Sequence, residues 1–535
     1  MRLLPAALLA LFATSAHASD FAAFLTARFA ASQGNLDLAA SQIMTALGSD
    51  PANLELQKDA FGLALLAGRP EAEQLAAKVP ENPVAQLLLA DARARADDWD
   101  HAELAYAELP HETLMDDLRP LLLAWSQQAQ GQTDKALDTL QNAINGGHLT
   151  AFYTLHAALI ADVARRDGLA DRLYDQVGKA MTEPNLRLAQ IMASWQARSG
   201  RIDEARDIIR KLGETSPDIA IAVPGMIAVI DKPQVADARA GIAEVYAGMA
   251  GALRQERDGE TAPLLLQLAL RMQPDQTEAL LVSADTEASH KHWGAAAASL
   301  ARVPATDPLA PIVQLHRADF LTRAGDTDQA RTLLEGLTHV FPGQPEAYAR
   351  LGDMASEAKQ FGDAVAFYSQ AVTRTPRPAR DDWGLFYARA AAYQRVNDWP
   401  RAEADIKQVL ALSPDQPAAL NFLGYSWTEQ NRNLDQARDM IQRALDQRPN
   451  DGAIMDSLGW VMLRLGDKHR AVQLLERAAE LSPSDPAITG HLGDAYWELG
   501  RHVEATDQWR RAMVLNPEPE DATRIEARLK SAQGQ

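Results

Sequence analysis

The sequence predicts an all-α superhelical solenoid of about fourteen helix–turn–helix repeats, closed by a C-terminal capping helix. Three features of the chain carry that expectation: a spacing near 34 residues, small residues at fixed offsets within each period, and a proline that ends most periods. Alignment on the alanine after each polar turn gives Ala39, Ala72, Ala102, Ala136, Ala170, Ala205, Ala262, Ala296, Ala330, Ala364, Ala402, Ala437, Ala471 and Ala505. Successive anchors are 30 to 38 residues apart, with one exception of 57. Twelve residues before the anchor stands Ala or Gly in 13 of 14 cases. The exception, Ala437, has Gly424 thirteen residues back, through a one-residue insertion in the turn Asn431-Arg432-Asn433.

Each position has a physical task. Two helices joined by a tight turn approach closely only where small residues meet, hence Ala or Gly on the first helix opposite Ala on the second. Apolar residues four and seven after the anchor, such as Ile43, Tyr106, Leu475 and Trp509 at the fourth, continue one helical face into the core. Proline twelve after it, in ten of the fourteen repeats, ends the second helix. A single hairpin cannot bury its apolar face, and stacked neighbours can.

The elements then fall in order. Residues 1–18 read as a signal peptide: Arg2, an apolar run from Leu3 to Ala13, and Ala16-His17-Ala18 as a cleavage site, with cleavage expected after Ala18. The run of 11 residues is too short to span a bilayer as a helix. Residues 19–215 hold about six repeats. Residues 216–234, in the long spacing, are an irregular apolar joint in which Pro224-Gly225 forbids a continuous helix. Residues 235–517 hold about eight repeats. Residues 518–535 form a polar capping helix, Glu520 to Ala532, and a tail.

Composition excludes several classes of function. The 535 residues include no Cys, which removes disulfide frameworks, thiol nucleophiles, thiolate metal sites and a lipid-anchored N-terminal Cys. A net charge of −20 disfavours nucleic acid, and no stretch after the leader is long and apolar enough for membrane insertion. No phosphate loop, nucleophile elbow or zinc-protease motif is present. The closest histidine pair, His290 and His292, points its rings apart on a helix. The expectation is no enzyme, no cofactor and no metal.

The periodic pattern resembles the tetratricopeptide repeat family. Asp451–Pro483 matches through Leu458-Gly459, Met462, Ala471, Leu475, Ala478 and Pro483, and Asp485–Pro517 through Leu492-Gly493, Tyr496, Ala505, Trp509, Ala512 and Pro517. The resemblance implies that the first helix of each repeat lines a concave groove that binds protein segments. Carried over by register, the groove residues are Tyr387, Gln394, Asn421, Tyr425, Thr428, Asp456, Trp460, Leu463, Asp494 and Trp497, with Arg464 at the edge. Six of the ten tryptophans lie in residues 380–535, of which Trp383, Trp427 and Trp509 fall at core positions.

The last three repeats are also similar to exported Gram-negative proteins of this family, through Asn421-Phe-Leu-Gly-Tyr425, Met455-Asp-Ser-Leu-Gly-Trp460 and His491-Leu-Gly-Asp494. Some of those are adaptors that bring cell-wall hydrolases to a carboxyl-terminal processing protease. The resemblance implies a periplasmic, non-catalytic scaffold or adaptor, with such a protease and its substrates as partners. The alternative is an assembly factor for outer-membrane or polysaccharide export machinery.

Overall fold

The computed structural model describes residues 15–180, 185–215, 217–255 and 261–533. The expected signal peptide lies almost wholly outside them; the chain is helical from Ser15 to Ser32. Among the described residues there are helices and turns and no strand. Fourteen successive helix pairs follow one another, from Ser15–Ser32 with Leu36–Ser49 to Pro486–Glu498 with His502–Val514. The capping helix runs over Pro519–Gln533.

Local signals place the helix ends. Asn53, Asn82, Asp451 and Asp485 each stand at an N-cap, and each side chain accepts two backbone N–H groups of the first turn. Gly466 and Gly500 turn the chain between the paired helices of the last two repeats at φ 91° and 79°, a conformation that costs glycine little. The inserted turn at 431–433 puts Asn431 and Asn433 in the same left-handed region, at φ 51° and 50°, which Asn tolerates better than most residues.

All fourteen anchor alanines are at most 1% exposed. Their partners on the first helix, from Ala27 to Ala390, are equally buried. Where that partner is glycine, the reason is visible. A Cβ on Gly352 would lie 2.6 Å from the Tyr368 ring, one on Gly459 2.7 Å from Leu475 Cγ, and one on Gly493 2.5 Å from the Trp509 ring. Each of those three large side chains is four residues after an anchor. Burying one contributes roughly 1.5–3 kcal/mol.

The chain divides into two compact units, residues 1–342 and 343–535. The first holds repeats one to nine and the second repeats ten to fourteen with the capping helix. Residues 216–234 lie inside the first unit. There Pro224 starts a short helix, Val223–Ala228, while Ile221, Ala222, Met226 and Ile230 are buried. The two short helices of this segment pack on Ile202–Thr215, and the first also touches Ala310–Ala324. The extra residues therefore pack between repeat six and repeat nine.

Gly424 offers the plainest test of the crossing. Its Cβ would meet Ile441 Cγ1 at 2.6 Å and the backbone oxygen of Ala437 at 2.9 Å, and a backbone oxygen cannot swing aside. Gly424→Val is expected to destabilise the second unit by about 1–3 kcal/mol. Urea unfolding read by tryptophan fluorescence and circular dichroism checks this, and an unchanged midpoint contradicts it.

Candidate partner-binding surfaces

The family resemblance implies that the first helices of the repeats line an inner face, and successive first helices do touch one another, as Pro417–Glu429 touches Gly452–Arg464, so these faces are the first places to look for a partner. In the first unit that face is filled by the chain itself. The helix Ala238–Gln255, first of repeat seven, packs against Thr113–Ala129 and Thr150–Val163. Its partner Ala262–Met272 packs against Leu54–Leu66 and Pro83–Arg95. Small residues again permit the approach: a Cβ on Gly241 would overlap the Trp125 ring, and one on Gly248 would lie 2.7 Å from Phe152.

A buried polar layer fixes this central helix in place. Tyr246 and Tyr106 both donate to Asp91 Oδ1, at 2.8 and 2.6 Å, and all three are fully buried. The Arg187 guanidinium donates to both oxygens of Glu244, with the shortest bond at 2.7 Å. Burial opposes that carboxylate's charge, but Arg187 outweighs burial and holds the Glu244 carboxyl below its ordinary range. Trp125 Nε1 donates to His156 Nδ1 at 3.1 Å. Arg271, at the end of the second helix, donates to the backbone oxygen of Arg69 and pairs with Glu73. His292 sits in the same unit with Nδ1 2.8 Å from Glu287 and Nε2 3.2 Å from the backbone oxygen of Ser32. Among the described residues no group of three or more His, Cys, Asp or Glu is placed to hold a metal ion, and no helix is long and apolar enough to cross a membrane.

In the second unit the eleven residues expected on the inner face separate into three kinds. Thr428, Asp456, Trp460 and Asp494 are buried. Thr428 donates to the backbone oxygen of Gly424 at 2.8 Å and is simply packed within its helix. Asp456 lies 2.9 Å from His491 Nδ1, and the His491 ring stacks on Trp460 with centroids 4.3 Å apart. Burial opposes a charge on His491, yet Asp456 prevails and the ring's pKa lies above its ordinary value. Trp460 Nε1 in turn donates to Glu429 at 2.6 Å. Trp460 is thus 8% exposed and part of a layer that His491 completes from the next repeat.

Tyr387, Gln394, Asn421 and Tyr425 are half-buried. Tyr387 meets Trp383 and Phe422 edge to face, at 6.2 and 5.9 Å. Leu463 and Trp497 are half-buried too, and Arg464 is exposed. These last three, with Trp460 and Asp494, line one cleft of about 230 Å³, completed by Asn431, Glu498 and Arg528. Five of the eleven therefore meet around a single opening. Asn431 and Arg528 escaped the sequence reading because neither belongs to a repeat's first helix: one is in the inserted turn and the other on the capping helix. That helix is anchored by Arg524, which pairs with Asp494, and by Ile525, whose Cδ1 would lie 3.2 Å from a Cβ on Gly490.

Helix pairs crossing through small residues and stacked in series define an α-solenoid of the protein-interaction class. The tetratricopeptide repeat model matches residues 316–378, 387–452 and 457–519, and a second model of the same repeat matches 121–145. By these matches the chain carries tetratricopeptide repeats. It is 32% identical over 153 residues to a TPR repeat-containing protein of Pseudomonas aeruginosa, covering 29% of this chain and 25% of that protein. It is 24% identical over 424 residues to cellulose synthase operon protein C of Pseudomonas fluorescens, covering 74% of this chain and 28% of that one. The chain thus spans about a quarter of the length of these relatives. The Cut9–Hcn1 hetero-tetramer of the APC/C superposes over 96% of both chains with 14% identity and a TM-score of 0.39.

The polar layer of the first unit predicts a pH dependence. Burial, offset in part by the two tyrosine hydroxyls, Arg95 and Arg271, pushes the Asp91 carboxyl from 3.8 to about 7. In the fold Asp91 keeps a proton that the unfolded chain loses near 3.8, so it lowers stability as pH rises through that interval. His156 acts in the opposite sense, because burial pushes its pKa from 6.5 to about 4. The unfolded chain then binds the extra proton, and stability rises with pH. D91N removes the first slope. Relative to the unsubstituted protein, its stability should grow by up to ~1.4 kcal/mol per pH unit between about pH 4 and 7. Urea midpoints at pH 4.5, 5.5 and 7 measure this, and a pH-independent difference contradicts it.

Proposed function

We propose that this protein is a non-catalytic, exported interaction scaffold that holds protein segments on the inner face of residues 343–535. The observation that carries the reading is the contrast between the two inner faces. Asp91, Trp125 and Phe152 of the first face are covered by Tyr246, Gly241 and Gly248 of its own repeat seven, whereas Leu463, Arg464 and Trp497 of the second border an open cleft. Aromatic and arginine side chains around an opening are the usual anchors of a protein interface. The leader-like residues 1–18 support export to the periplasm, with release after Ala18.

Within that class, the motifs of repeats twelve to fourteen favour an adaptor that presents cell-wall hydrolases to a carboxyl-terminal processing protease. A second reading has its own support: the similarity to cellulose synthase operon protein C runs over 424 residues and favours a part in polysaccharide export machinery. Rigid display would serve either role, since stacked repeats hold separate partners at fixed spacing without chemistry of their own.

A photo-crosslinking residue in place of Leu463 tests the assignment in intact cells. The expected result is a covalent adduct with a processing protease or one of its hydrolase substrates. Adducts confined to export subunits transfer the protein to the second reading. No adduct at position 463, with adducts at an inner-face residue of the first unit, overturns the choice of surface.

A further inference from the structure

We propose that the apolar stripe Phe21, Leu25 and Phe29 on the helix Ser15–Ser32 pairs with the same stripe of a second copy of this chain, antiparallel and about a twofold axis through Leu25. The proposal is independent of the partner-binding reading of residues 343–535.

The repeat register identifies this face. In the last repeat, Pro486–Glu498 packs against both helices of the repeat before it, Gly452–Arg464 and Lys468–Leu481. The residues two before and two after its small residue Gly493 are His491 and Ala495. Both are buried, and His491 stacks on Trp460 of the preceding repeat. Ser457 and Val461 hold the same positions around Gly459 and are buried too. Around Ala27 of the first helix those positions are Leu25 and Phe29, 50% and 68% exposed, and Phe21 one turn earlier is 64% exposed. Ala23, Ala27 and Ala30 are buried meanwhile, and the helix packs on Leu36–Ser49. The first repeat thus presents the face on which an interior repeat meets its predecessor, and it presents large apolar residues there. At the other end of the array the polar helix Pro519–Gln533 closes the stack. A repeat array stays soluble when its outer faces are polar, so an apolar one calls for cover.

Pattern, charge and area select a second copy as that cover. Residues four apart share one face of a helix, and Phe-x₃-Leu-x₃-Phe reads the same in both directions. An antiparallel twofold therefore sets Phe21 against Phe29 of the second copy and Leu25 against Leu25, the self-complementary contact of an isologous dimer. Arg28 is the one charged residue in 21–32, and it lies 3.9 Å from Asp59 of its own chain. The stripe itself therefore holds no charge that would repel its copy. An anionic membrane suits the face less well, since the whole chain is at −20 and the helix offers a single base. With about 200 Å² for a whole aromatic side chain, the three residues expose roughly 350 Å² per copy, or about 700 Å² for the pair. That is below the ~1,200 Å² of a standard stable interface, so the dimer is weak and forms at micromolar concentration.

The absence of native cysteine makes the test direct. In the whole chain, L25C treated with a short bismaleimide should give a covalent dimer, whereas V514C, at a position 85% exposed in the last repeat, should not. Sedimentation velocity should show the unsubstituted chain passing from monomer to dimer between about 1 and 100 µM. L25E sets two carboxylates together at the axis and should weaken dimerisation about tenfold or more, and an equimolar mixture of L25E and L25R should restore it. Leu25 is half-exposed, so circular dichroism should stay unchanged, and L25C carries the test if a charged variant fails to fold. A monomer at every concentration, a dimer that L25E leaves intact, or L25C that crosslinks no better than V514C overturns the proposal. So do species that grow beyond the dimer, which head-to-tail stacking would produce.

Discussion

The crossing of two helices at a small residue is the constraint on which the rest of this structure depends. Fourteen anchor alanines are at most 1% exposed, and the residue opposite is Ala or Gly each time. Only that pairing lets the side chain four residues after the anchor slide beneath the first helix, as Tyr368 does beneath Gly352 and Trp509 beneath Gly493. The aromatic content of 6% follows directly. A fold that repeats one close contact needs one large residue per repeat and many small ones, and its stability is a sum over neighbours.

The two units apply the same contact to different ends. In residues 1–342 it brings the two helices of repeat seven against the first helices of earlier repeats, where Gly241 and Gly248 receive Trp125 and Phe152. A glycine within a helix costs about 1 kcal/mol relative to alanine, and two aromatic contacts there offset that cost. Asp91, Glu244 and their partners then specify one position for the helix, since each would be left buried without a hydrogen bond in any other. In residues 343–535 the inner face carries no such helix along most of its length. Its aromatic and polar residues pair across repeats, and near the capping helix they leave a cleft of about 230 Å³.

Most of the repeat architecture was legible in the chain because it is local. The 34-residue period, the proline after the second helix and the Asn or Asp caps act within one hairpin, so the fourteen pairs and the last helix, Pro519–Gln533, could be placed from sequence. What could not be read involves partners far apart. Tyr246 meets Asp91 across 155 residues, and nothing in residues 238–255 marks that helix as central except its three glycines, Gly241, Gly248 and Gly251. Trp460 lines the cleft but is 8% exposed, because His491 stacks on it from the next repeat, a contact that the register of one repeat does not describe. Arg528 joins the cleft through the docking of the last helix, which no repeat register describes. The stretch 216–234 reads as a break in the period, yet its apolar residues are buried and its short helices pack on repeats six and nine.

The self-filled inner face of the first unit is the central claim, because it assigns interaction to the other unit. Hydrogen exchange measured by mass spectrometry on the whole chain tests it most directly. Amides of Ala238–Gln255 should exchange among the slowest in the protein, over hours, as do helices that open only when their unit unfolds. They should be slower than those of the terminal helix Ser15–Ser32. Exchange of Ala238–Gln255 as fast as that terminal helix would mean that the central helix leaves its place readily, and the division of roles between the two units would be wrong.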